Sequence, residues 1–224
     1  MRKNKIFIAC DTTNIKQIKK IIRDTKNDKL KIGYKFGLEF LNSKNGRKFI
    51  STLRNKTLFG DYKFSDIPNT SASVIKAVRD LNFKYITIHI NSGIEALRAA
   101  KKVAGKVKLV GVTTLTSLDN KSLKEIGYDK DVNKLVFHQA RLANLANLDA
   151  IVCSAKEVKI VRRVFKGEII TPGIRLNSKK DDQKRVLSPN LAYKNGADWL
   201  VIGRNITKGD IKKNIQKLIN HLYQ

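Results

Sequence analysis

The chain has 224 residues, 42% of them hydrophobic, which is enough for one sizeable core, and a single domain over residues 1–224 is expected. Lys and Arg number 46 against 19 Asp and Glu, a formal charge of +27 that rules out a charge-balanced surface. No run reaches the roughly 18–20 apolar residues of a membrane span, and residues 1–5 lead straight into the apolar run Ile6-Phe7-Ile8-Ala9-Cys10, so a soluble cytoplasmic protein without a signal peptide is expected.

In chain order, short β-branched runs alternate with amphipathic helical patterns, the mark of βαβ units and a parallel sheet. Strands are predicted over residues 5–10, 30–33, 57–61, 85–90, 108–113, 150–153, 168–171 and 199–202. Helices are clearest over 14–23, 71–80, 94–103, 133–147, 156–165 and 211–222. Eight such units in 224 residues leave little room for insertions, which favours one closed (β/α)8 TIM barrel of the α/β class over an open doubly wound sheet. Two longer connections, 115–131 after the fifth strand and 172–188 after the seventh, fall where a barrel builds its active site.

The basic residues are spread along the whole length, mostly on the polar faces of helical segments such as 15–22 and 211–215. With no nucleic-acid-binding motif beside them, they read as a solvated surface, and nucleic acid is not expected as a partner. A field this positive attracts small anions at low salt. Cys10 and Cys153 each lie in an apolar run and read as buried thiols rather than a disulfide framework. His89 and His138 lack metal-ligand spacing to another His or Cys; they read as a strand residue hydrogen-bonded in the core and a helix residue.

Polar residues collect at the C-terminal ends of the apolar runs. Asp11 ends the first, Lys31 lies in the second, Asp61 and Lys63 end the third, His89 lies in the fourth, Thr113 and Thr114 end the fifth, and Gly203-Arg204 end the eighth. The densest segment is Asp61-Tyr62-Lys63-Phe64-Ser65-Asp66-Ile67-Pro68-Asn69-Thr70. Strand alternation puts Asp61 and Lys63 on one face, where a carboxylate and an ammonium can share a site. A salt bridge followed by a helix N-cap at Asn69 or Thr70 accounts for the same spacing equally well.

This segment resembles the signature of orotidine 5′-phosphate decarboxylases, usually Asp-Leu-Lys-Phe-His-Asp-Ile-Pro-Asn-Thr, and further blocks follow in order. Ala9-Cys10-Asp11, Leu30-Lys31-Ile32-Gly33, Val112 to Ser117, Thr171-Pro172-Gly173-Ile174-Arg175, Asp182-Gln183 and Val201-Ile202-Gly203-Arg204 extend the resemblance over essentially the whole chain. Tyr62 and Ser65 depart from the signature, Asn205 stands where Pro often follows Gly-Arg, and His89-Ile90-Asn91-Ser92-Gly93 is an altered form of His-Ala-Ser-Gly-Gly.

The resemblance implies a homodimer with shared active sites that converts orotidine 5′-phosphate to uridine monophosphate and CO2. It implies no metal and no organic cofactor, so electrostatics would stabilise the carbanion at C6 of the pyrimidine. Lys31, Asp61, Lys63 and Asp66 would form the catalytic charge array, with Asp66 coming from the second subunit. Asp11 and Lys31 would bind the ribose hydroxyls with Thr70 of the partner subunit, and Thr116 and Ser117 the pyrimidine edge. Phosphate would lie on Gly203 and Arg204, with Gln183 and Arg175 close by. A Mg2+-dependent sugar-phosphate enzyme on the same barrel shares the Asp-x-Lys-x-x-Asp core and is the nearest rival. A basic nucleic-acid-binding protein on an inactive barrel is the rival from another class.

Overall fold

The computed structural model describes residues 3–175 and 187–223. Eight parallel strands close into a barrel in sequence order: β1 (Asn4–Ala9), β2 (Leu30–Gly37), β3 (Thr57–Phe64), β4 (Phe83–His89), β5 (Lys108–Val112), β6 (Ala150–Val152), β7 (Glu168–Thr171) and β8 (Trp199–Ile202). β1 pairs with both β2 and β8, which removes any free sheet edge. No described helix is long and apolar enough to cross a membrane.

The helices form because their apolar residues recur on one face and their first N–H groups find caps. In the helix Ile15–Asp24, Ile18 and Ile21 are buried, and the Asn14 side chain accepts from the Gln17 N–H. The helix Pro68–Ala77 begins earlier than the predicted 71–80, and its N-cap is Ile67 rather than Asn69 or Thr70. Proline is suited to the first helical turn, where its missing N–H has no partner to lose, so the start of the helix lies inside the polar segment.

Alternate strand residues point into the barrel. Phe7, Ala9, Phe59, Tyr85, Val110, Ala150, Ile170, Trp199 and Val201 fill it as a single buried cluster, with Phe7 stacked on Trp199 at 4.1 Å between ring centroids. Below them, at the N-terminal ends of the strands, Glu168 accepts from Lys5, Lys108, the Tyr85 hydroxyl and the Trp199 indole N–H. This carboxylate closes the floor, so the chemistry is left to the opposite end.

The largest difference from the predicted strands is in β2, which runs four residues past Gly33, where the prediction ended, to Gly37. Gly33 is not a terminator. It faces the barrel interior where the Phe7 ring lies, and a Cβ built on it would come within 2.5 Å of that ring. The glycine admits the ring, and the strand continues.

Candidate active site

A cavity of about 550 Å³ opens at the C-terminal ends of the strands. Its walls include Asp11, Lys35, Asp61, Lys63, Thr114 and Thr116, together with Arg175, Gly203, Arg204, Thr207 and Lys208.

At its centre is Asp61, the residue of β3 paired in register with Gly37. Its Oδ2 accepts from Lys63 Nζ at 2.7 Å and lies 3.4 Å from Lys35 Nζ. Lys35 Nζ also donates to Asp11 Oδ1 at 3.2 Å. The side chains of Lys35 and Asp61 are only 14% and 11% exposed, whereas Lys63 is 32% and Asp11 60% exposed. Two cations and two carboxylates therefore alternate in the order Lys63, Asp61, Lys35, Asp11, the inner two almost covered and the outer two more open.

Burial would push the Asp61 carboxyl up, but the charges and hydrogen bonds of Lys35 and Lys63 outweigh it and hold the group below the usual carboxylate range. Burial likewise works against the Lys35 ammonium, and Asp61 and Asp11 reverse it, so the lysine stays charged. His89, half-buried at the end of β4, is held below its ordinary value by desolvation and by the nearby Lys63 charge. Its ring makes no hydrogen bond to another described residue, contrary to the expected core partner. The Cys10 thiol, free and buried beneath Asp11, is pushed up to about 12 by burial and is no nucleophile at neutral pH.

The expected Lys31 is not part of this cluster. It has the same inward parity as Lys35 but lies four residues earlier in β2, in register with Lys5, and is exposed at the floor end of the barrel. At about 3.3 Å per residue that sets it some 13 Å from Lys35 along the strand. Lys35 occupies the position that the sequence reading gave to Lys31, and the error follows from ending the strand at Gly33. The alternation Gly33-Tyr34-Lys35-Phe36-Gly37 was the signal that would have found it.

Of the other expected residues, Asp11, Asp61, Lys63, Thr116, Arg175, Gly203 and Arg204 line the cavity. Ser117 is exposed and outside its lining, and Gln183 lies outside the described residues. Asp66 and Thr70 do not reach the cavity of their own chain. Asp66 is exposed, accepting the Ile67 N–H at 2.8 Å, and Ile67 beside it is an apolar side chain left 66% exposed. Sequence reasoning missed Gln17, Thr207 and Lys208, which line the end of the cavity near Gly203.

The altered loop after β4 is held by its own hydrogen bonds. Asn91 accepts from Gln139 Nε2 and donates to the Tyr128 hydroxyl, both at 2.9 Å, and the buried Gln139 accepts from the Thr114 N–H. The asparagine is thus tied to the cavity wall through a fully hydrogen-bonded chain.

A closed parallel barrel with lysines and carboxylates alternating in a cavity at the C-terminal ends of its strands defines a (β/α)8-barrel enzyme. The chain belongs to the Orotidine 5′-phosphate decarboxylase / HUMPS family, whose model matches residues 4–217.

It is 37% identical to an orotidine 5′-phosphate decarboxylase of Wolbachia pipientis subsp. Culex pipiens, over 96% of this chain and 97% of that protein. With one from Prochlorococcus marinus it shares 41% identity over 92% of this chain and 89% of the relative. The crystal structure of orotidine 5′-phosphate decarboxylase from Lactobacillus acidophilus superposes with a TM-score of 0.83 at 27% identity, covering 99% of this chain and all of that one. Both the family and the barrel expected from the sequence are borne out.

Proposed function

We propose that this chain is a decarboxylase of orotidine 5′-phosphate that yields uridine monophosphate and CO2 in pyrimidine biosynthesis. The observation that carries the reading is the buried Asp61 carboxylate held between the ammonium groups of Lys35 and Lys63 in a cavity of nucleotide size.

Loss of CO2 from C6 leaves an electron pair in the plane of the pyrimidine ring, where the π-system delocalises it poorly. A fixed cation beside C6 lowers the energy of that state most when it is already in place and partly desolvated. Lys63 supplies the cation and afterwards the proton. Asp61 aims Lys63 and, set near the substrate carboxylate, disfavours the charged ground state. Lys35 keeps Asp61 ionised and, with Asp11, reaches the ribose hydroxyls.

At the other end of the cavity the substrate phosphate lies on the backbone of Gly203 and Arg204, with the side chains of Arg204 and Arg175 as charged partners. Thr116 and Ser117 flank the pyrimidine. The enzyme works in the cytoplasm as a homodimer of single-domain chains, each site completed by Asp66 and Thr70 of the partner subunit. The exposed Ile67, between these two residues, supports an interface there.

The test is the loss of orotate absorbance when the purified protein meets orotidine 5′-phosphate, with and without a chelator. Decarboxylation that survives the chelator, and falls by at least about 10³-fold in Lys63→Ala, is expected. Inactivity toward the nucleotide together with Mg2+-dependent turnover of a sugar phosphate would instead place the chain on the other side of its family.

A further inference from the structure

Between Gly60 and Phe64 the register of β3 against β4 shifts, and Lys63 within that shift has a φ of 49°. Residues with side chains rarely adopt this left-handed region, so something must hold the backbone there. The Lys63 N–H, turned out of the regular ladder, donates to Thr87 Oγ1 of β4 at 2.7 Å. Thr87 Oγ1 in turn donates to Asp61 Oδ1 at 3.2 Å. Asp61 completes the ring by accepting from Lys63 Nζ through Oδ2. Thr87 itself is fully buried and does not line the cavity.

We infer that Thr87 is a positioning residue for the decarboxylation, setting both the backbone of Lys63 and the rotation of the Asp61 carboxylate through one hydroxyl. The inference rests on the roles proposed above for Lys63 and Asp61. Only a group that accepts and donates at the same atom can serve both neighbours, and among side chains of this shape threonine does so while valine does neither. The carboxylate torsion of aspartate is broad and roughly two-fold, so without a partner on Oδ1 it is free to turn. The ammonium held by Oδ2 turns with it. Lys35 constrains the same oxygen as Lys63 and cannot replace the missing partner on the other one.

The experiment compares Thr87→Val, Thr87→Ser and Lys63→Ala with the wild type, measuring kcat and KM for orotidine 5′-phosphate and the Kd of uridine monophosphate by calorimetry. Thr87→Val is expected to lower kcat by about 10²-fold, the cost of a misplaced catalytic group, while nucleotide affinity stays within about threefold. Thr87→Ser, which keeps the hydroxyl, recovers most of the rate. A wild-type kcat in Thr87→Val beside an inactive Lys63→Ala overturns the inference alone. So does a Thr87→Ser as slow as Thr87→Val, or a Thr87→Val that loses rate and nucleotide affinity in parallel. An active Lys63→Ala overturns the role of Lys63 and this inference with it. Should Thr87→Val fail to fold, Thr87→Cys, whose thiol is a weak donor and acceptor, must show the same fall in kcat, and a wild-type rate there refutes the assignment.

Discussion

Lys35 Nζ lies 3.4 Å from Asp61 Oδ2, inside a wall where both side chains are almost covered. Lys35→Ala removes one of the two cations held against Asp61, leaving Lys63 as the other, and takes from Asp11 its ammonium partner. The variant is expected to lower kcat/KM by at least about 10²-fold through the misplaced charge array, about 2.7 kcal/mol of transition-state stabilisation. Lys31→Ala, changing an exposed residue at the far end of the same strand, should stay within about twofold. Steady-state kinetics on the two variants decide the matter, and a larger loss in Lys31→Ala would reverse the assignment.

The exposed position of Asp66 leads to a prediction that needs two chains. If Asp66 acts across a two-fold interface, mutating it in one chain and Lys63 in another makes two inactive homodimers. Subunit exchange between them creates heterodimers with one doubly defective site and one intact site. Activity should then rise toward half the wild-type value per heterodimer. A mixture that exchanges subunits, as shown by differential labelling and native mass spectrometry, yet stays inactive would remove Asp66 from the shared site.

Arg204 is at the end of the cavity assigned to phosphate. Arg204→Ala removes a charge-assisted contact and is expected to cost about 2 kcal/mol of transition-state stabilisation, roughly 30-fold in kcat/KM, for the nucleotide. A nucleoside substrate without the phosphate should be turned over almost as well by the variant as by the wild type. Equal losses on both substrates would mean that Arg204 supports the fold rather than the phosphate.

Glu168 at the barrel floor makes stability depend on acid. Burial would raise its carboxyl, but hydrogen bonds from Lys108, Tyr85 and Lys5 hold it at about 2 against an ordinary value of 4.5. Because the folded value is depressed, the stabilisation is complete above pH 4.5 and is lost as pH falls from 4.5 through about 2. Glu168→Gln should destabilise the protein at neutral pH by about 1–2 kcal/mol, after allowance for the carboxylate's partial solvent access. The gap from wild type should shrink steadily below pH 4.5. Urea denaturation across that range measures it, and a gap that does not change with pH would assign Glu168 a packing role alone.

The parts of this molecule legible in its sequence are those governed by local periodicity. The eight apolar runs, the alternation that puts Asp61 and Lys63 on one face, and the barrel they imply follow from the two-residue repeat of a strand and the apolar stripe of a helix. Asp11, Gly203 and Arg204 were legible too, because each lies beside the end of a short strand whose boundary the sequence marks clearly, whereas Arg175, four residues past the end of β7, was reached only through the family resemblance. Lys35 was not. Lys31 and Lys35 share the same parity, and which of them reaches the cavity depends on how far β2 runs and how it registers against β1 and β3. That was decided by the neighbouring strands: Gly33 to Gly37 pair with Thr57 to Asp61 of β3, and the glycine leaves room for the Phe7 ring of β1. Thr87 was hidden for the same reason: its hydroxyl acquires a role only when the β3 register shifts and turns the Lys63 N–H toward it. Parity is a property of one strand and can be read along the chain, whereas height in the barrel is a property of neighbouring strands and exists only once they are packed.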